Sequence, residues 1–166
     1  MISQIANYAI RPANAADSRF LYELSMDPRI RANSTRSDEF SFEAHERWYA
    51  RKLRDGRNAI WIMEVPDGVP VAQVRYGRRL EGEGDDAEIA ISVMPSARYR
   101  GHGLRLLEET MPMACEWLKV RRLMALVLRL NYPSRRLFRR AGFRYAGVEC
   151  RRGKIHARYE WRPRTP

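Results

Sequence analysis

The stretch Ile89-Ala90-Ile91-Ser92-Val93-Met94-Pro95-Ser96-Ala97-Arg98-Tyr99-Arg100-Gly101-His102-Gly103-Leu104 concentrates residue types suited to binding an anion. An alternating run that reads as a strand gives way to a short loop, a Gly-x-Gly step and the start of a helical pattern. The first turn of a helix carries N–H groups with no intrahelical acceptor, at the positive end of the helix dipole. Glycines at 101 and 103 would keep side chains away from a ligand's phosphates, and Arg98 and Arg100 would add mobile positive charge beside them. The chemistry expected is diphosphate binding. The pattern is not a dinucleotide fingerprint, because Leu106 stands where the third glycine would, nor a P-loop, which needs Gly-Lys-Ser or Gly-Lys-Thr.

The elements that must position this loop follow from pattern and punctuation. Residues 8–12 read as a strand ended by Pro12, and residues 14–26 as a helix capped by Asn14 or Asp17, with Phe20, Leu21 and Leu24 on one face. Ser41 caps a second helix that runs to Leu53 and stops near Asp55-Gly56. Residues 59–65 and 69–76 flank Pro66-Asp67-Gly68 as a hairpin, and Gly82 to Asp86 form a second turn. Residues 88–93 alternate as a half-buried strand. Residues 104–119 read as a helix that Pro112 should kink. Residues 123–130 form a buried strand, 133–140 a helix with proline in its first turn and Gly142 as its stop, and Val148 and 155–161 a terminal pair of strands. The order predicts an α/β (α+β) fold on one mixed sheet.

Composition narrows the class. The chain of 166 residues is 45% hydrophobic and 31% charged, a globular balance, and 1–166 reads as a single domain. Its longest apolar runs are too short to cross a bilayer, and its start lacks a signal-peptide pattern, so a cytoplasmic location is the expectation. Two cysteines, Cys115 and Cys150, with no close Cys/His cluster suggest neither a disulfide framework nor a metal site. The net charge of +11 favours anionic partners. No RNA-recognition motif, zinc finger or basic zipper accompanies the basic residues, so dedicated nucleic-acid binding is not expected.

Arg98-x-x-Gly101-x-Gly103, following a strand that ends Ser92-Val93, resembles motif A of the GNAT acetyltransferase superfamily. Asn131-Tyr132-Pro133-Ser134-Arg135-Arg136-Leu137-Phe138-Arg139-Arg140-Ala141-Gly142-Phe143 resembles its motif B, and the two come in order with a helix and a strand between them. The resemblance, covering residues 8 to about 148, implies the GNAT fold: a mostly antiparallel sheet with splayed central strands, flanked by about four helices. It implies acetyl-CoA as cosubstrate, no metal, and an N-acetyltransferase reaction by direct attack of a primary amine in a ternary complex. Homodimers are common in the superfamily.

By position, Ile91, Ser92 and Val93 would face the pantetheine arm. The amides of Arg100, Gly101, His102, Gly103 and Leu104 would hold the pyrophosphate, with the His102 side chain beside the phosphates. Asn131 and Ser134 would meet the pantetheine from the other side, Asn131 also capping its helix. Glu88 is similar in place to the glutamate that many relatives use as a base. Many relatives carry a tyrosine acid where this chain has Phe138, which cannot donate a proton; Tyr132 is the nearest alternative.

Asp27-Pro28-x-Ile30-Arg31 followed by Phe42-Glu43-x-His45-x-x-Trp48 is similar to amino-sugar N-acetyltransferases, including the pseudaminic-acid-pathway type that acts on a nucleotide-linked amino sugar. Ser34, His45 and Trp48 would then face the acceptor. This type tends to show Trp-Arg-Asn where the chain has Leu24-Ser25-Met26. The alternatives are a ribosomal-protein-type N-terminal acetyltransferase and a non-catalytic domain that binds coenzyme A or nucleic acid.

Overall fold

The computed structural model describes residues 8–35, 38–79 and 85–163. Its strands are β1 (Ala9–Pro12), β2 (Asn58–Val65), β3 (Val69–Arg78), β4 (Asp86–Val93), β5 (Arg122–Leu128), β6 (Arg144–Arg151) and β7 (Lys154–Trp161). The helices are α1 (Ser18–Met26), α2 (Pro28–Ala32), α3 (Phe42–Arg54), α4 (His102–Leu118) and α5 (Tyr132–Arg140). The strands pair in the order β1-β2-β3-β4-β5-β7-β6, and only β4 and β5 run parallel. The sheet is therefore mixed and mostly antiparallel, as the resemblance implies, with five α-helices among the described residues where about four are expected.

The additional helix is α2, whose five residues are too few to show periodicity. Its start signal is nonetheless present. Asp27 accepts from the amides of Arg29 at 3.1 Å and Ile30 at 3.0 Å, and Pro28 gives up only a donor that a first turn cannot use. α1 is preceded by a 3-10 turn in which Asn14 accepts from Ala16 and Asp17 accepts from Asn14, so both predicted caps act together. α4 begins at His102 and continues through Pro112 as one helix. α5 ends as predicted: Gly142, at φ +90°, donates to Arg139, and Phe143 donates to Phe138, closing a Schellman motif. Residues 82–84 of the predicted second turn lie outside the described residues.

The parallel join is where the sheet opens. β4 and β5 pair only over residues 86–88 and 122–124. Beyond Glu88 and Met124 no ladder joins them, leaving the β5 side of residues 89–93 with unpaired backbone groups.

Residues paired directly across strands share a face of the sheet. One face, carrying Trp61, Val74, Tyr76, Ile89, Leu123, Val127 and Tyr159, packs under Leu106, Leu107 and Met111 of α4 and Phe138 of α5 to form the main core. Burying each large side chain stabilises by about 1.5–3 kcal/mol. On the other face Ile60 and Ile62 of β2 pack with Leu21 of α1 and Tyr49 of α3. Across β4, β5, β6 and β7 that second face carries Glu88, Met124, Glu149, His156, Arg158 and Glu160. Among the described residues no helix is long and apolar enough to cross a membrane.

Candidate functional site

The loop from β4 to α4 is shaped to leave amides open. Gly101 precedes the helix at φ +84°, a left-handed conformation that favours glycine. No side chain caps α4, and Arg105 is its first residue to donate to a backbone carbonyl, that of Gly101 at 3.1 Å. Arg100 is exposed beside these amides. This is the arrangement that the diphosphate expectation requires.

Three details differ from that expectation. Arg98 is not mobile charge: it donates to the Val93 carbonyl at 3.1 Å and to Asp27 at 2.9 Å, an ion pair whose side chains are 18% and 16% exposed. His102 points inward and is 8% exposed, with Nδ1 3.1 Å from the Ala97 carbonyl oxygen, so its ring does not stand beside the phosphates. A Cβ on Gly103 would meet Leu137 Cδ2 at 3.3 Å and Val93 Cγ2 at 3.5 Å. That glycine serves the close approach of α4, α5 and the end of β4 rather than clearance for a ligand.

The same contact brings the second motif to the opening. Asn131 caps α5, its Oδ1 accepting from the Ser134 amide at 3.3 Å, which leaves its side-chain amide available to a ligand. Ile91, Val93 and Leu104 turn their side chains onto the main core, while Ser92 lies on the opposite face. Phe138 is buried edge-on against Phe143, 5.1 Å between centroids, so this position supplies packing and no proton. Tyr132 is exposed on the first turn of α5.

Glu88 occupies the last paired position before β4 and β5 part. Its Oε2 accepts from Arg151 at 2.6 Å, and Arg151 also donates to Glu149 at 2.7 Å. Gly77, which has no side chain, lies opposite Glu88 on β3. Beside the anion loop, Tyr22, Leu24, Met26, Asp27, Met94 and Pro95 line a cavity of about 350 Å³ between the α1–α2 segment and the end of β4.

Of the three residues predicted to face the acceptor, two lie at the second sheet face. Ser34 follows α2, and its carbonyl accepts from Lys154 at 3.2 Å, while neighbouring Thr35 meets His156 Nε2 at 3.2 Å. Trp48 is half-buried, with the Arg75 guanidinium 5.0 Å from its ring centroid. His45, the third, is enclosed in the protein rather than open at that face. It is 4% exposed, stacked on Tyr49 at 5.9 Å and surrounded by Tyr22, Phe42 and Trp48. Burial pushes its imidazole pKa down, so it is neutral at neutral pH. Arg75, Arg151 and His156 escaped the sequence reading because they come from strands far apart in the chain and belong to no local motif. Among the described residues no group of three or more His, Cys, Asp or Glu could hold a metal ion.

The model of the acetyltransferase (GNAT) domain family matches residues 8–144. Among solved structures, an aminoglycoside acetyltransferase in complex with coenzyme A superposes with a TM-score of 0.80 at 15% identity, over 95% of each chain. Spermidine N-acetyltransferase from Vibrio cholerae, in complex with coenzyme A and spermine, gives 0.81 at 17% identity over 94% of this chain and 95% of that one. A putative acetyltransferase from Salmonella typhimurium with acetyl-CoA gives 0.79 at 18% identity over 95% and 94%. No curated protein matches the sequence. The structural likenesses show the fold. The family match covers both the anion loop and the start of α5, and the chain belongs to the GNAT acetyltransferase family.

Proposed function

We propose that this acetyl-CoA-dependent N-acetyltransferase modifies the primary amine of a nucleotide-linked amino sugar, with Glu88 as the base. Bound acetyl-CoA supplies the thioester carbonyl that the amine attacks. The residues present fit that cosubstrate: open amides around Gly101 suit a diphosphate, and the unpaired edge of β4 suits a peptide-like arm. Arg100 and the amides from Arg100 to Leu104 hold the pyrophosphate. The backbone of Ile91, Ser92 and Val93 forms one wall for the arm, and Asn131 with Ser134 forms the other.

An alkylamine, with a pKa of about 10.4, is mostly protonated at neutral pH and cannot attack until it loses a proton. Glu88 takes that proton at the point where the two strands part, and Arg151 fixes the orientation of its carboxylate. A thiol with a pKa of roughly 8.5 leaves tolerably without an acid, consistent with Phe138 in the tyrosine position.

The observation that carries the acceptor reading is the segment from Asp27 to Trp48. It has the pattern of amino-sugar enzymes, and its Trp48 lies at the second sheet face toward Arg75. The solved relatives named above act on aminoglycosides and spermidine, so small amines of this size suit the fold. The test is acetyl-CoA turnover with UDP-linked 4-amino sugars beside peptides with an N-terminal alanine. Turnover of the sugars alone is expected. Acetylation of the peptide alone would replace this reading with a ribosomal-protein-type enzyme, and cofactor binding without turnover of either would replace it with a non-catalytic domain.

A further inference from the structure

Arg75, near Glu88, and Lys52, on α3, form no ion pair among the described residues. Arg75 lies on β3 opposite Ala90, two residues along the same face from the Gly77–Glu88 pair. Its guanidinium is half-buried over the Trp48 ring, and among the described residues it makes no hydrogen bond or ion pair. Lys52 stands four residues after Trp48 on α3, hence on the same side of that helix, and is likewise half-buried without a bonded partner among the described residues. The two like charges lie near enough that Arg75 helps burial to push the Lys52 pKa down, and Glu88 is the acidic group that Arg75 feels. Glu88 is already engaged by Arg151.

Withdrawing charge from water without a partner is unfavourable, and bringing two like charges together adds to the cost. An arrangement of this kind is relieved by an anion. The flat fork of an arginine beside the point charge of a lysine matches the several oxygens of a phosphate better than the two of a carboxylate.

We infer that Arg75 and Lys52 bind a phosphate group carried by the amine acceptor. The inference rests on the acetyltransferase reading with Glu88 at the amine, and it sharpens the choice of acceptor. Two residues along a strand span ~7 Å, so the amine at Glu88 and the phosphate at Arg75 belong to opposite sides of one small unit, such as a sugar ring. A polycation such as spermidine would meet like charge at this position. The cofactor's own pyrophosphate is accommodated separately, at the start of α4.

The test is calorimetric titration of uridine diphosphate into protein saturated with coenzyme A, so that the cofactor site is filled. Wild type should bind it. Arg75→Gln should weaken binding tenfold or more, Lys52→Met should weaken it less, and Arg75→Lys should restore part of the loss, all with coenzyme A affinity unchanged. Absence of binding to the wild type, or equal binding by wild type and both neutral variants, overturns the phosphate site. If Arg75→Gln does not fold, Lys52→Met carries the comparison. Loss of binding in the variants together with no turnover of UDP-amino sugars by wild type would keep the phosphate site and remove the sugar assignment alone.

Discussion

The two halves of the candidate site are built from different materials. On the proposed cofactor side, recognition would rest on backbone: amides at the start of α4 and the unpaired edge of β4, with Asn131 as a polar addition from α5. On the proposed acceptor side it would rest on side chains drawn from α3, β3, β4, β6 and β7, among them Trp48, Arg75, Glu88, Arg151 and His156. Backbone donors survive most substitutions, because nearly every residue type supplies the same N–H. A constellation of side chains changes with each replacement. A fold built this way can keep one cosubstrate while its acceptor varies.

If that contrast holds, the largest effect of a single substitution should come from the acceptor half. Glu88→Gln keeps shape and removes the base. General base catalysis typically contributes 10²–10⁴-fold, so kcat should fall by about that factor while the dissociation constant for acetyl-CoA stays the same. The deficit should shrink as pH rises and the amine loses its proton unaided. Unchanged turnover across the pH range would remove Glu88 from the mechanism. Breaking the cofactor half requires a change to the backbone itself. Gly101→Val forces a β-branched residue into the left-handed region at φ +84°, at a cost of at least 1–2 kcal/mol. Coenzyme A affinity should drop tenfold or more, and an unaltered dissociation constant would refute the phosphate cradle.

The same contrast explains what could be read in the sequence. The cofactor half is written contiguously: Gly101, Gly103, Asn131 and Ser134 lie in two motifs with fixed spacing, and their surroundings follow from local rules of strands and helix starts. Even there, spacing misread the setting of three residues. Arg98 and His102 found partners in Asp27 and Ala97, and Gly103 found Leu137, all set by tertiary packing. The acceptor half is only partly linear: Asp27 to Trp48 is one segment, whereas Arg75, Glu88, Arg151 and His156 share no motif. Arg151 meets Glu88 across 63 positions of sequence, and only the strand order β4-β5-β7-β6 brings β6 toward β4. His45 had the right residue type and the right helix but faces the aromatic cluster. The short α2 was missed although Asp27-Pro28 announced it.

Asp27 and Arg98 join the two halves, since Asp27 caps α2 on the acceptor side while Arg98 belongs to the anion loop. Burial pushes the Asp27 carboxyl up, but hydrogen bonds from Arg98 and the Ile30 amide outweigh it and hold the pKa below its ordinary value. A lowered folded-state pKa stabilises the protein above the unfolded value, about 3.9, and that stabilisation is lost as pH falls through the folded value. Asp27→Asn should therefore lower stability by about 1.5–3 kcal/mol at neutral pH, read from urea midpoints. The gap to wild type should narrow as the pH is taken below about 4. It should also raise KM for both substrates. A rise for one substrate alone would show that the pair serves one half and does not couple them.

The smallest expected effect separates packing from recognition within the acceptor half. His45 is buried with Nε2 lacking a partner among the described residues, and burial lowers its pKa. The unfolded chain takes up a proton at this histidine near pH 6.5, whereas the folded chain resists it, so wild-type stability declines as pH falls through that region. His45→Phe removes the titration and keeps an aromatic ring in the stack with Tyr49. Relative to wild type, the variant should gain stability as pH falls below about 6.5. Its acceptor KM should not change, because the ring is enclosed by Tyr22, Phe42, Trp48 and Tyr49. A raised KM with no change in the pH dependence of stability would return His45 to the acceptor site and move the division between core and site outward by one turn of α3.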